Sequence, residues 1–197
     1  MIEEGLSMHK MRQYRLILTL IILCGSMLGG CDRDKTSKVS LEAFKQYLEQ
    51  QYFEVPAKQD QLPDFQYRLL DGKRESLAVN DGSIVLLNFW AVWCFPCKKE
   101  MPDLEELKHK MKGEKFRILA INSGDNPSKV KGFLRKFPYS FDVVLDENRD
   151  ITNQLNVVGL PTTFILDKKR QVVGKIMGPI DWKDETFVDY LVQFSRM

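Results

Sequence analysis

The stretch Ile84-Val85-Leu86-Leu87-Asn88-Phe89-Trp90-Ala91-Val92-Trp93-Cys94-Phe95-Pro96-Cys97-Lys98-Lys99-Glu100-Met101-Pro102 decides how the rest of the chain is read. Its first seven residues form a nearly continuous apolar run, as a strand buried on both faces requires. From Cys94 the pattern turns helical, and Met101, Leu104, Leu107 and Met111 share one face to about Lys112. Pro96 suits the first turn of that helix, and Pro102 is expected to kink it. The two cysteines therefore stand where a buried strand gives way to a helix. A thiolate there meets free backbone N–H groups and the positive end of the helix dipole. The pKa of Cys94 is expected to fall below its reference value of about 8.5. Cys94 is the predicted attacking sulfur, with its side chain at the surface. Cys97 lies one turn deeper, near enough to resolve a mixed disulfide.

Working outward, Phe65 to Leu69 alternates as a strand, and Asp71-Gly72 is a hairpin turn signal. Downstream, strand is expected at 116–121, helix at 127–137, strand at 141–145 and a short helix at 151–155. The pieces 162–166 and 171–176 read as a hairpin, and 182–194 as a closing helix. That order predicts a mixed α/β sheet covered on both faces, with a right-handed first crossover. Upstream, residues 32–61 read as a spacer. Within it Leu41, Phe44, Tyr47 and Leu48 recur at helical spacing after Ser40 as N-cap, and Pro56 is expected to end the helix. Such a helix would pack on the domain or on a membrane surface. The domain itself is placed at 62–197.

The chain has 197 residues, of which 44% are hydrophobic and 28% charged, so it is globular and long enough to bury a core. A net charge of +2 lacks the basic excess of a nucleic-acid binder. Lys10, Arg12 and Arg15 precede a short apolar run from Leu16 to Cys24, followed by small residues. This is the layout of a secretory signal, expected over 1–30. Leu28-Gly29-Gly30-Cys31 resembles the bacterial lipobox, in which the cysteine becomes the lipidated first residue. An uncleaved anchor with an incidental cysteine, or a buried core segment, is the plainer alternative. A lipidated Cys31 and a tether over 31–61 would hold the rest of the chain at the membrane, outside the cytoplasm. Of four cysteines, only Cys94 and Cys97 would then remain in the domain. A staple closing so small a ring removes little chain entropy, so the pair reads as chemical.

The segment from Asn88 to Pro102 resembles the active-site segment of the thioredoxin superfamily, and more narrowly the membrane-tethered TlpA/ResA-like thiol–disulfide oxidoreductases. Leu62-Pro63-Asp64-Phe65, Asp71-Gly72-Lys73 and Gly159-Leu160-Pro161-Thr162-Thr163-Phe164 match that pattern in order. The resemblance covers about 62–194. It implies a thioredoxin-like fold, with an added helix-strand-helix segment over 127–155. It implies that Pro161 is a cis-proline beside the cysteines, and that Leu160 offers backbone groups to an extended substrate. Glu100 matches an acidic residue that would take and return the proton of Cys97. Asn88 stands where cytosolic thioredoxins carry a buried aspartate, which again points to Glu100 as proton carrier. Trp93 and Phe95 would shape partner binding.

The implied activity is reduction of partner disulfides, with apocytochrome c as one substrate. Electrons would come from a membrane donor of the CcdA or DsbD type, and no cofactor is needed beyond the cysteine pair. Three other readings stay open. The pair could be an inert staple, a copper-holding site in a chaperone, or part of a thiol peroxidase on the same fold. A zinc site is disfavoured, because zinc wants about four ligands and His109 lies about 18 Å along the helix from Cys97. Glu100 could be an ordinary solvated helix charge. Lys98, Lys99 and His109 read as surface residues.

Overall fold

The computed structural model describes residues 40–58 and 60–197. The leader and Cys31 lie outside the described residues. Helix α1 (Leu41–Gln50) comes first, followed by the hairpin of β1 (Gln66–Leu69) and β2 (Arg74–Ser76). The strand β3 (Ile84–Trp90) leads into α2 (Phe95–Lys110). Then come β4 (Phe116–Ser123), α3 (Pro127–Lys136), β5 (Asp142–Asp146) and α4 (Asp150–Gln154). The hairpin of β6 (Thr162–Leu166) and β7 (Val172–Met177) precedes the last helix, α5 (Glu185–Ser195). The strands form one sheet in the order β2-β1-β5-β4-β3-β6-β7. β3 pairs in parallel with β4 and antiparallel with β6, so it is an inner strand of a mixed sheet.

Every residue of β3 is buried. Successive side chains of a strand point to opposite faces, and β3 accordingly feeds two cores. Ile84, Leu86 and Trp90 join the cluster that holds Met101, Leu104 and Leu107 of α2 and Phe187 and Leu191 of α5. Val85, Leu87 and Phe89 join the other cluster, with Phe65, Leu77, Ile151 and Phe164. The alternation puts Asn88 on the α2 and α5 face.

Two boundaries differ from the sequence reading. Helix α1 ends at Gln50, well before Pro56, because Tyr52 adopts a left-handed φ of 64° that no helix continues. The packed unit also reaches back beyond Leu62 to Ser40. Phe44 and Leu48 are fully buried in the α2 and α5 core. Ser40 caps α1 by accepting from the Ala43 backbone N–H, as its position predicts. Tyr47 stacks on Tyr190 and donates its hydroxyl hydrogen to Asp184, the N-cap of α5. A segment read as tether is thus partly core, because its apolar stripe finds a matching face on α5. Among the described residues, no helix is long and apolar enough to cross a membrane.

Phe44 packs against both Tyr190 and Phe194. Phe44→Ala should therefore cost about 3 kcal/mol or more of stability. Chemical denaturation of the oxidised protein checks this, and a loss below about 0.5 kcal/mol, the scale of a surface change, would detach α1 from the core.

Candidate active site

Cys94 and Cys97 are joined in a disulfide at the start of α2. Cys94 is the N-cap residue, and its Sγ accepts from the Cys97 backbone N–H at 3.3 Å. The sulfur thus takes the place that a Ser or Asp oxygen usually fills at a helix start. That donor would serve a thiolate better than a thiol, because it favours negative charge. In the oxidised form the sequence expectation of a surface Cys94 needs correction. Cys94 is only 4% exposed, against 0% for Cys97, because its sulfur is held by the second cysteine and by the helix cap. The neighbouring aromatics are the open part of the motif: Trp93 is 66% exposed and Phe95 63%.

The loop before Cys94 is held from the side. Buried Asp125 accepts from the Val92 backbone N–H at 2.6 Å and from Asn122 Nδ2 at 3.2 Å. Lys129 Nζ, one turn into α3, pairs with the other oxygen at 2.7 Å. Sequence reading passed over Asp125, since one aspartate after a strand carries no signal of its target.

Glu100 lies one turn beyond Cys97 on α2 and is 3% exposed, so it is not a solvated helix charge. Its Oε1 accepts from Asn88 Nδ2 at 2.8 Å, and its Oε2 from the Trp182 indole N–H at 3.2 Å. Asn88 Nδ2 also donates to Thr163 Oγ1 at 3.0 Å on the paired strand β6. Asn88 Oδ1 is buried without a hydrogen-bond partner among the described residues. Burial pushes the Glu100 pKa up to about 7. The bonds from Asn88 and Trp182 oppose that shift, the charge of Asp103 adds to it, and a backbone donor at Ile180 opposes it again. Trp182 was read from the sequence only as the start of a helix. It stands before α5 instead, which begins at Glu185 under the Asp184 cap.

The Leu160–Pro161 peptide bond is cis. Thr162 is in register with Phe89, so Pro161 comes at the end of β3 from which the cysteine loop departs. A cavity of about 380 Å³ there is lined by Trp93, Leu160, Gly159, Val157 and Arg149 among others. On the opposite flank Phe95 lines a second cavity of about 520 Å³. The fold thus places Trp93, Cys94, Phe95 and Leu160 at one end of the sheet, while Cys97 and Glu100 lie beneath. His109 is far down α2 and pairs with Glu105.

The Glu100 shift has a thermodynamic consequence with a definite sign. An acid whose folded pKa exceeds its unfolded value keeps its proton longer when folded, so unfolding releases a proton between the two. Stability is then greatest on the acid side and falls as pH rises from the ordinary value of 4.5 to about 7. The loss across that window should reach at most about 3 kcal/mol. Glu75, held near 2 chiefly by Lys73, acts in the opposite sense and only below that window. Denaturation of the oxidised protein at several pH values should show the slope, and Glu100→Gln should flatten it. An equal slope in the variant would mean that Glu100 titrates like an exposed carboxylate.

Comparison with known proteins shows the family of the chain. Residues 59–175 match the AhpC/TSA family. Over 191 residues the chain is 33% identical to the thiol-disulfide oxidoreductase ResA of Bacillus thuringiensis subsp. konkukian, covering 95% of this chain and 99% of that one. A thioredoxin family thiol:disulfide interchange protein from Chlorobium tepidum superposes with a TM-score of 0.63 at 25% identity, covering 71% of this chain and 99% of that one. StoA from Bacillus subtilis gives a TM-score of 0.57 at 25% identity, over 68% and 98% of the two chains. The mixed sheet is therefore a thioredoxin-like fold, and the chain belongs to the AhpC/TSA family, among the ResA-like thiol–disulfide oxidoreductases.

Proposed function

We propose that this thiol–disulfide oxidoreductase works as a reductant of protein disulfides outside the cytoplasm, tethered to the membrane by lipid on Cys31. The observation that carries the chemistry is a buried carboxyl, Glu100, with its pKa pushed to about 7, one helical turn from the inner cysteine. Such a group is nearly half ionised at neutral pH and can both accept and return a proton there.

In the forward direction Cys94 Sγ, as thiolate, attacks one sulfur of a partner disulfide. The partner's S–S bond breaks, one partner sulfur leaves and takes a proton from solvent, and a mixed disulfide joins the proteins. Glu100 then takes the proton of Cys97. The Cys97 thiolate attacks Cys94 Sγ, the mixed disulfide breaks, and the second partner sulfur leaves and is protonated. Two partner thiols are formed and the Cys94–Cys97 bond closes. Leu160 and Pro161 would line the approach of the partner strand, with Trp93 and Phe95 flanking it. A membrane dithiol donor of the CcdA or DsbD type would restore the reduced pair. An apocytochrome c with oxidised haem-binding cysteines is a fitting substrate. The leader and Leu28-Gly29-Gly30-Cys31 support the tether and the compartment.

Two measurements test this reading. Cys97→Ala, reduced and mixed with a disulfide-bearing protein such as oxidised apocytochrome c, should accumulate a mixed disulfide through Cys94. Free product without a trapped species would remove Cys97 from resolution, and metal loss without trapping would favour a copper chaperone. Glu100→Gln should slow resolution about 10- to 100-fold near neutral pH, within the range of general-base contributions. Unchanged kinetics would take Glu100 out of the mechanism.

A further inference from the structure

The cavity beside Phe95 lies outside the cis-proline side of the site, and nothing in the exchange chemistry requires it. It opens between α2 and α3, with Phe95, Phe133, Phe137 and Tyr139 among its walls. Phe95 is the variable residue of the cysteine motif, so the cavity begins inside the motif itself. Lys98, Lys99, Lys129 and Lys136 also line it, and no carboxylate does. Lys99 lies 4.7 Å over the Phe95 ring, and Lys129 is taken by Asp125. Lys98 and Lys136 have no carboxylate partner among the described residues. The cis-proline cavity repeats the pattern, with Arg149 as its charged lining residue.

Aromatic walls in an open cavity suit an inserted apolar side chain, and cations around them suit acidic neighbours. We propose that this groove docks an acidic, aromatic-containing segment of the partner protein, next to the partner cysteine that Cys94 attacks. The inference rests on the disulfide-reductant reading and names the kind of substrate that this chain selects. Complementary charge acts mainly on encounter, so selection should be seen in rate and should weaken with salt. A lipid headgroup would satisfy the lysines but would not need aromatic walls reaching into the cysteine motif.

The test uses the reduced full chain in stopped flow. Three synthetic peptide disulfides carry the same cysteine and aromatic residues with acidic, neutral or basic flanks. Bis(2-hydroxyethyl) disulfide serves as a small neutral reference. Each peptide rate is divided by the reference rate of the same protein, so a change in intrinsic thiol reactivity cancels. The acidic peptide should lead the basic one by about tenfold at low ionic strength, and the lead should shrink toward unity near ~1 M salt. Lys98→Glu and Lys136→Glu should each cut that lead severalfold. Lys168→Glu, at the opposite end of β3 from the cysteines, should leave it intact. Equal rates for the three peptides, or a lead for the basic one, would overturn the proposal. So would an acidic preference untouched by both lysine variants, which would assign the charge reading to Arg149. Loss of the preference through dimerisation, seen in sedimentation, would give the groove to a second copy and overturn it too. A chain inert to bis(2-hydroxyethyl) disulfide as well would defeat the dithiol reading itself.

Discussion

Asn88 is the one polar side chain in a strand that is otherwise wholly apolar, and an ionisable carboxyl depends on it. Its amide reaches Glu100 on one side and Thr163 on the other. The strand's alternation turns Asn88 toward the same core face as Trp182 and α2. A carboxylate among such neighbours is costly unless hydrogen-bonded. Two side-chain donors lessen that cost without cancelling it, and the remainder appears as a pKa raised to about 7. A further donor or a cation would pull the group back toward an ordinary acid. A wholly apolar surround would keep it protonated far above neutrality.

The two cysteines share that logic at the other end of the same helix turn. The amide hydrogen of Cys97 caps the helix on the sulfur of Cys94. The bond places a donor on the outer sulfur, and a buried carboxyl follows the inner one by a single helical turn. The loop between strand and helix is anchored by Asp125, so the outer sulfur is held by the side wall as well as by its own helix.

Much of this was legible in the sequence. The run from Ile84 to Trp90 reads as a buried strand and the residues after Cys94 as a helix, and both are found. Ser40 announced its cap, Asp71-Gly72 its turn, and the stretch around Pro161 its place by resemblance. What stayed hidden was long-range. Trp182 meets Glu100 across 82 positions, and no local pattern encodes that contact. The apolar stripe of helix α1 suits the domain or a membrane surface equally, because it does not name its partner, and its burial depends on Tyr190 and Phe194 at the far end of the chain. The lysines beside Phe95 looked like scattered surface charge until α2 and α3 were set side by side. Exposure of Cys94 was misjudged because placement at a helix start fixes direction, not cover.

The tryptophans occupy three distinct settings. Trp93 stands in solvent beside the outer cysteine, Trp182 is buried with its indole N–H on Glu100, and Trp90 is buried with no partner for its own N–H among the described residues. A disulfide quenches a nearby indole, and a carboxyl that gains or loses charge shifts the emission of an indole bonded to it. The chain therefore carries intrinsic optical probes of both events, electron transfer at the motif and protonation beneath it. Its native fluorescence should therefore report the redox state of the cysteine pair and the charge of Glu100 without any attached dye.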